Sequence, residues 1–276
     1  MSTIQIAPAK AAPPAPHRPN RLARMALPMF GFVGLLVCWY LLTALIAIPS
    51  YLLPSPQSVV TRIVRDWKPL LDGTYQTSIE VIAGFAASIL VGVPLAYAVV
   101  MNRALERITL PILVASQAVP KVAIAPIFVI WLGFGILPKI AIAFLIAFFP
   151  IVVSTVAGLK SVDLEMIDLV RSMGASKTKI MLRLRTPAAM PQIFSGLKVA
   201  ISLSVVGAIV GEFVGADKGL GYILLTATGN LDGPMTGAAM IFLIALGVGL
   251  YAIVERLERV FIRWHVSVRA DEMSTV

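Results

Sequence analysis

Few side chains in this sequence are of the types that catalyse reactions, and they are not spaced for catalysis. The two histidines, His17 and His265, lie near opposite ends of the 276 residues. No His-Glu-x-x-His motif occurs, and no GxxxxGK[ST] loop is present to hold nucleotide phosphates. The single cysteine, Cys38, excludes an intrachain disulfide. We therefore predict no catalytic residues, no metal site and no nucleotide site, which argues against a membrane-embedded hydrolase.

Two charged side chains interrupt otherwise apolar segments. Lys121 lies within the run 109–132, where an ammonium group exposed to lipid costs on the order of 3 kcal/mol. It is expected either to line a pathway for anions or to reach an interface at the Pro120 break. Glu212 lies near the end of the run 191–215. It is expected either to line that pathway or to act as an interfacial acid that caps the turn into Gly215.

The segment 160–190 carries the start and stop signals of short helices. Asp163 is expected to cap a helix with Glu165 in its first turn, and Gly174 is expected to end it. Ser176 is suited to cap a second short helix, and Thr186-Pro187 to begin a third. The first helix has a broad apolar side that needs a partner, formed by Leu164, Met166, Ile167, Leu169, Val170 and Met173.

The composition indicates that these segments are held between membrane-spanning helices. The chain is 58% hydrophobic and 13% charged, whereas soluble proteins average roughly 25% charged residues. Uncharged or nearly uncharged runs recur at lengths that cross about 30 Å of hydrocarbon as helices. We predict an all-α polytopic bundle with six transmembrane helices, at about 25–48, 79–101, 109–132, 138–159, 191–215 and 233–254.

The distribution of Lys and Arg predicts the orientation of this bundle. With the N-terminus inside, sixteen basic residues lie in cytoplasmic segments and five in outer segments, and cytoplasmic loops carry the excess of basic residues. We expect a disordered tail at 1–24, a transmembrane domain at 25–264 with a cytoplasmic loop at 160–190, and a tail at 265–276. Both ends are expected in the cytoplasm. The basic residues are not interleaved with aromatic residues on one face, so nucleic-acid binding is not expected.

The loop 160–190 and its neighbours are similar to a known family. Asp168-Leu169-Val170, Gly174-Ala175-Ser176, Pro187 and Pro191 resemble the cytoplasmic "EAA" loop of binding-protein-dependent ABC importer permeases, although two alanines are replaced by Leu169 and Val170. Three further stretches resemble the nitrate, sulfonate and taurine branch of that family. These are VPKVAIAPIFVIWLGFG (119–135), FFPIVVSTVAGLKSVD (148–163) and EFVGADKGLGY (212–222).

The resemblance implies a type I ABC importer permease fold in a bacterial inner membrane. It implies a homodimer of the chain, a cytoplasmic ABC ATPase dimer that uses ATP and Mg, and a periplasmic substrate-binding protein. No cofactor is expected on this chain. The solute is expected to be small, with an organic or inorganic anion such as a sulfonate or nitrate favoured. The helix that contacts the ATPase is expected to include Leu164, Glu165, Asp168, Leu169, Val170, Met173, Gly174, Ala175 and Ser176.

An ion-coupled secondary transporter is the alternative from another class. Such transporters place paired carboxylates or broken repeats near the middle of the membrane. Neither pattern is visible in the sequence, and the search for an internal repeat by eye finds none. Asp168 also has a simpler interpretation, as a solvated acid on an exposed helix.

Overall fold

The computed structural model describes residues 21–46 and 49–262. The predicted tail at 265–276 and most of the tail at 1–24 lie outside the described residues. The chain divides into two units, Met1–Ile48 and Pro49–Val276. The first unit contains helix α1, Arg21–Leu45, which begins four residues before the predicted first span.

The second unit contains the other described helices, which follow one another with short connections. They are α2 Pro56–Arg65, α3 Trp67–Met101, α4 Arg103–Gln117, α5 Lys121–Leu132, α6 Ile136–Lys160, α7 Leu164–Ser172, α8 Lys177–Ile180, a π-helical segment Met181–Arg185, α9 Thr186–Gly215, α10 Leu220–Gly229 and α11 Gly233–Phe261. No strand occurs in the described ranges. The all-α prediction is confirmed.

Four helical stretches of the described chain are long and apolar enough to cross a membrane: Trp67–Met101, Ile136–Lys160, Lys177–Gly215 and Gly233–Phe261. Each contains one predicted span. The described apolar part of α1, Val33–Leu45, is shorter than a span. The count of six transmembrane helices is therefore supported only in part.

The predicted third span at 109–132 is interrupted at Pro120, where the sequence indicates a break. Helices α4 and α5 are bent by 100° at a break between Gln117 and Lys121. Pro120 directly precedes the first residue of α5, and its ψ of 92° gives it an extended backbone that separates the two helices. Proline favours such a break because it has no N–H to bond to the preceding turn. The two helices form either a broken span or a re-entrant loop.

The core of the second unit is a close-packed group of three long helices, α3, α6 and α9. Glycines allow their backbones to approach one another, as is common between membrane helices. A Cβ atom placed on Gly84 of α3 would lie 2.6 Å from the Cβ of Ala143 in α6, and one placed on Gly207 of α9 would lie 2.7 Å from the Ala143 Cα. Ala143 is fully buried. This packing sets the geometry of the sites described next.

Candidate functional site

The apolar side of the segment 160–190 is exposed, as the sequence predicts. Helix α7 buries Ile167, which is 3% exposed, and leaves Leu164, Leu169 and Met173 exposed by 75%, 62% and 79%. Met166 is half exposed. A row of large apolar side chains on a helix of nine residues is typical of a surface that binds another protein.

Gly174 ends α7 in the way that the sequence predicts. Its φ is +83°, in the left-handed region that glycine adopts without the steric cost of a Cβ. The Gly174 N–H donates to the carbonyl of Arg171 and the Ala175 N–H donates to that of Val170, the pair of bonds that defines a Schellman cap. The turn therefore fixes the direction in which α7 leaves the rest of the chain.

Helix α7 is followed by a helical segment that continues into the core. The Ser176 hydroxyl accepts from the Lys179 N–H and caps α8. Helix α9 begins at Thr186 with Pro187 in its first turn, as predicted, and the π-helical segment Met181–Arg185 joins it to α8 without a break. The Thr186 hydroxyl donates to the Met181 carbonyl, and the Tyr97 hydroxyl of α3 donates to Thr186. Helix α8, the π-helical segment and α9 therefore form one helical stretch, Lys177–Gly215, which begins just after the turn that ends α7.

Two acids of this segment have simpler roles than the sequence predicts. Asp163 precedes α7 but makes no side-chain capping hydrogen bond, so that part of the prediction is wrong. Asp168 pairs with Arg171 at 2.9 Å, with both side chains more than half exposed. A solvated pair of this kind stabilises a helix by about 0.5 kcal/mol at most. Asp168 is thus accessible to a partner, as are Glu165 and Ser176.

Lys121 is the first residue of α5, directly after the bend. Its ammonium lies 4.8 Å from the centre of the Phe149 ring of α6, within the range of a cation–π interaction. The side chain is half-buried. The structure thus places Lys121 at a helix break beside an aromatic face, and its described contacts do not include Glu212.

Glu212 lies in the core and does not cap the turn into Gly215. Its side chain is 1% exposed, and it accepts a hydrogen bond of 2.6 Å from the Thr77 hydroxyl of α3. It also accepts from the backbone N–H of Gly221 in the first turn of α10. The Leu220 N–H donates to Thr77. Glu212 therefore holds the start of α10 against α3 and α9.

Sequence reasoning missed a buried ion pair beside Glu212. The Lys139 ammonium lies 3.0 Å from Oε1 of Glu80, and the two side chains are 4% and 0% exposed. Lys139 is one of the five basic residues counted above in the outer segments, and that count is wrong for it, because it is buried within α6. The sequence offers one indication of these two residues, which is their position. Glu80 directly precedes the apolar run 81–101 and Lys139 directly precedes the run 140–159, so each lies at one end of its span.

A cavity of about 620 Å³ opens next to this cluster. Its lining includes Glu212, Asp217 and the aromatic side chains of Phe134 and Tyr222. It lies where the α5–α6 turn meets the end of α9. The start of α6 and the end of α9 meet there, whereas α7 lies between the end of α6 and the start of α9 in the chain. Aromatic faces and a few polar groups are the usual lining of a pocket for a small organic molecule.

Long apolar helices around a close-packed core define a polytopic membrane protein, and the exposed helix α7 is joined to that core. Residues 88–264 match the family described as "Binding-protein-dependent transport system inner membrane component". The chain therefore belongs to this family and is the permease subunit of an ABC importer.

Similar proteins support the family assignment. The chain is 38% identical over 86% of its length to the formylaminopyrimidine transport permease ThiX of Halalkalibacterium halodurans, covering 95% of that protein. It is 34% identical to the riboflavin permease RibX of Chloroflexus aurantiacus, over 91% of this chain and 96% of RibX. It is 30% identical to the taurine permease TauC of Escherichia coli, over 85% and 88%.

A solved structure has the same fold. A chain of the MetNI methionine ABC transporter in an inward-facing conformation superposes with a TM-score of 0.61. The two chains are 20% identical, and the match covers 71% of this chain and 96% of that one. The prediction of a fold like that of an ABC importer permease is confirmed.

Proposed function

We propose that two copies of this chain form the membrane pore of an importer whose ATP hydrolysis takes place on a separate cytoplasmic ATPase dimer. The observation that carries the proposal is the set of exposed apolar side chains on and directly after α7, of which Leu164, Leu169 and Met173 are the most exposed. A groove on each ATPase subunit covers these side chains, and ATP with Mg binds to the ATPase alone. A periplasmic binding protein delivers the solute to the opposite face.

The orientation that this requires places α7 in the cytoplasm. Sixteen basic residues support it against five, and the burial of Lys139 removes one of the five from the outer surface. Reporter proteins fused after Met101 and after Leu159 are both expected to report the cytoplasm, and one fused after Leu220 the periplasm. A periplasmic result at Leu159 contradicts the proposed role of α7.

The proposed solute is a small organic molecule, with a nitrogen heterocycle as the first candidate. The relatives named for formylaminopyrimidine and riboflavin transport are 38% and 34% identical to this chain, compared with 30% and 27% for those named for taurine and aliphatic sulfonates. The cavity next to Glu212 agrees with this choice, because Phe134 and Tyr222 offer flat aromatic faces for stacking and Asp217 can accept from ring or amino N–H groups.

An anion such as a sulfonate or nitrate is the second candidate, supported by Lys121. Its ammonium is half-buried in the described structure and pairs with no carboxylate there. A cation on a pathway with low-dielectric walls attracts an anion more strongly than it does in water. On this account Lys121 lines the pathway, whereas for a neutral heterocycle its charge has no electrostatic role.

Uptake into proteoliposomes tests the proposal. Vesicles that contain the permease, its ATPase and its binding protein are expected to accumulate a labelled pyrimidine only with ATP inside, and ionophores that dissipate ion gradients should not reduce uptake. Uptake that follows an ion gradient without ATP contradicts the proposal. With taurine as the labelled solute, Lys121→Met should lower uptake only if the anion candidate is correct, and pyrimidine uptake by the same variant serves as the control.

A further inference from the structure

Four helices of the second unit meet around a small group of buried ionisable side chains. Glu80 of α3, Lys139 of α6 and Glu212 of α9 are 0%, 3% and 1% exposed, and the first turn of α10 closes the group through Gly221. Thr77, which lies three residues before Glu80 in α3, donates to Glu212, and Gly211 beside Glu212 packs against the backbone of Lys139, the partner of Glu80. The two carboxyl groups therefore belong to one buried cluster, in which a hydrogen bond between them requires that one carries a proton.

Three of the four oxygens of the two carboxyl groups accept hydrogen bonds from the protein. Oε1 of Glu80 accepts from the Lys139 ammonium at 3.0 Å and from the Gln76 amide at 3.1 Å. Oε1 of Glu212 accepts from Thr77, and Oε2 accepts from the Gly221 N–H. Oε2 of Glu80 is buried and has no protein partner. A buried acceptor without a donor costs about 1–3 kcal/mol, and more when it is charged.

The charges of the group are also unbalanced by one. Two ionised carboxylates and one ammonium leave one uncompensated negative charge among side chains that are at least 97% buried, which is strongly unfavourable in a low-dielectric core. One bound proton would neutralise that charge, and it would also supply the hydrogen-bond donor that Oε2 of Glu80 lacks. Two carboxyl groups in contact commonly share a proton for this reason.

We propose that Glu80 and Glu212 form a proton-binding site that holds one proton between Oε2 of Glu80 and the Glu212 carboxyl group. The occupied site is neutral and joins α3, α6 and α9 to the start of α10. The groups that face it are Gln76, Thr77 and Glu80 from α3, Lys139 from α6, Glu212 from α9 and the Gly221 N–H from α10. Among the described contacts, Lys139 is its one cationic neighbour.

The sign of the pH dependence follows from proton linkage. In the unfolded chain both carboxyl groups are ionised at neutral pH, whereas the folded protein retains one proton. The folded state therefore binds more protons, so its stability decreases as pH rises until the proton is lost. Loss of the proton leaves the carboxyl groups repelling each other across the contact between α3 and α9.

The variant Glu80→Gln tests this proton-binding site. Its amide oxygen can accept from Lys139 and Gln76, and its NH₂ group takes the place of Oε2 and donates to Glu212 without a titratable proton. The thermal midpoint of the purified full-length protein in lipid nanodiscs, measured from about pH 6 to about pH 9.5, should fall for wild type and stay level for the variant. At the alkaline end the variant should unfold about 4 °C or more above wild type.

The matched control is Glu258→Gln, which removes the 2.7 Å ion pair between Lys198 of α9 and Glu258 of α11. That pair has no second carboxyl group in contact, so the variant should keep the pH slope of wild type. Parallel profiles for wild type and Glu80→Gln overturn the proposal. A wild-type midpoint that drops when NaCl is replaced by choline chloride also overturns it, because the site then holds a metal cation.

Infrared spectroscopy of the wild type gives a second measurement that needs no variant. A protonated carboxyl group has a C=O band distinct from that of a carboxylate, and the band shifts in D₂O. We expect this band at neutral pH and its disappearance over the pH range in which the thermal midpoint falls. Absence of the band at neutral pH overturns the proposal even if Glu80→Gln cannot be purified in folded form.

Discussion

Replacing Gly174 with valine is expected to weaken the association of the permease with its ATPase about tenfold and to lower ATP-driven uptake to a similar extent. The φ of Gly174 is +83°, and a side chain in this region costs roughly 1–2 kcal/mol, with a β-branched residue worst placed. About 1.4 kcal/mol corresponds to a factor of ten. Co-purification with the ATPase and uptake, both normalised to the inserted permease, measure the effect.

The control for this change is Gly174→Asn at the same position. No atom of this chain lies within 4 Å of a Cβ placed on Gly174, so the Cβ that both variants add meets no neighbour within the chain, and their main difference is how readily each adopts the left-handed backbone. Asparagine adopts the left-handed region more readily than other non-glycine residues. Gly174→Asn should therefore retain most of the association. Equal association of the valine variant and wild type contradicts the assignment of α7 to the ATPase interface.

The parts of this segment that could be predicted depend on local chemistry. Gly174 ends a helix and Ser176 begins one because of interactions within three to five residues, and both are as predicted. Asp163 has the right residue type for a cap but no capping bond. The π-helical segment Met181–Arg185 that joins α8 to α9 was not predicted, and Thr186, which follows it, also contacts Tyr97 of a helix that is distant in the sequence.

Hydropathy located the long helices but not their internal ion pairs. A run of about twenty apolar residues is required by the thickness of the membrane, so the spans were visible, including α6 and α11. Pro120 indicated a break before Lys121, but the bend of 100° was not predicted, because the apolar average continues across Pro120. Glu80 and Lys139 were read separately as charges at span ends. Their pairing follows from the packing of α3 on α6, and the sequence carries no local signal for it.

Gly207→Val is expected to prevent assembly of the core, with the yield of folded permease several-fold lower and little uptake left. The Cβ of any larger residue at this position would lie 2.7 Å from the backbone Cα of Ala143. Backbone cannot rotate away as a side chain can, so α9 and α6 must separate at a cost of about 3 kcal/mol, a large part of the net stability of a typical protein. Separation also disturbs Gly211, because a Cβ placed on it would lie 2.9 Å from the Cα of Lys139, and it therefore disturbs the buried pair of Lys139 with Glu80.

Size-exclusion chromatography of the detergent-solubilised protein measures the folded yield. Gly249→Val is the matched control, because nothing lies within 4 Å of a Cβ at that position in α11, and it should give the wild-type yield. If both variants are equally well folded, α6 and α9 do not pack as closely as described.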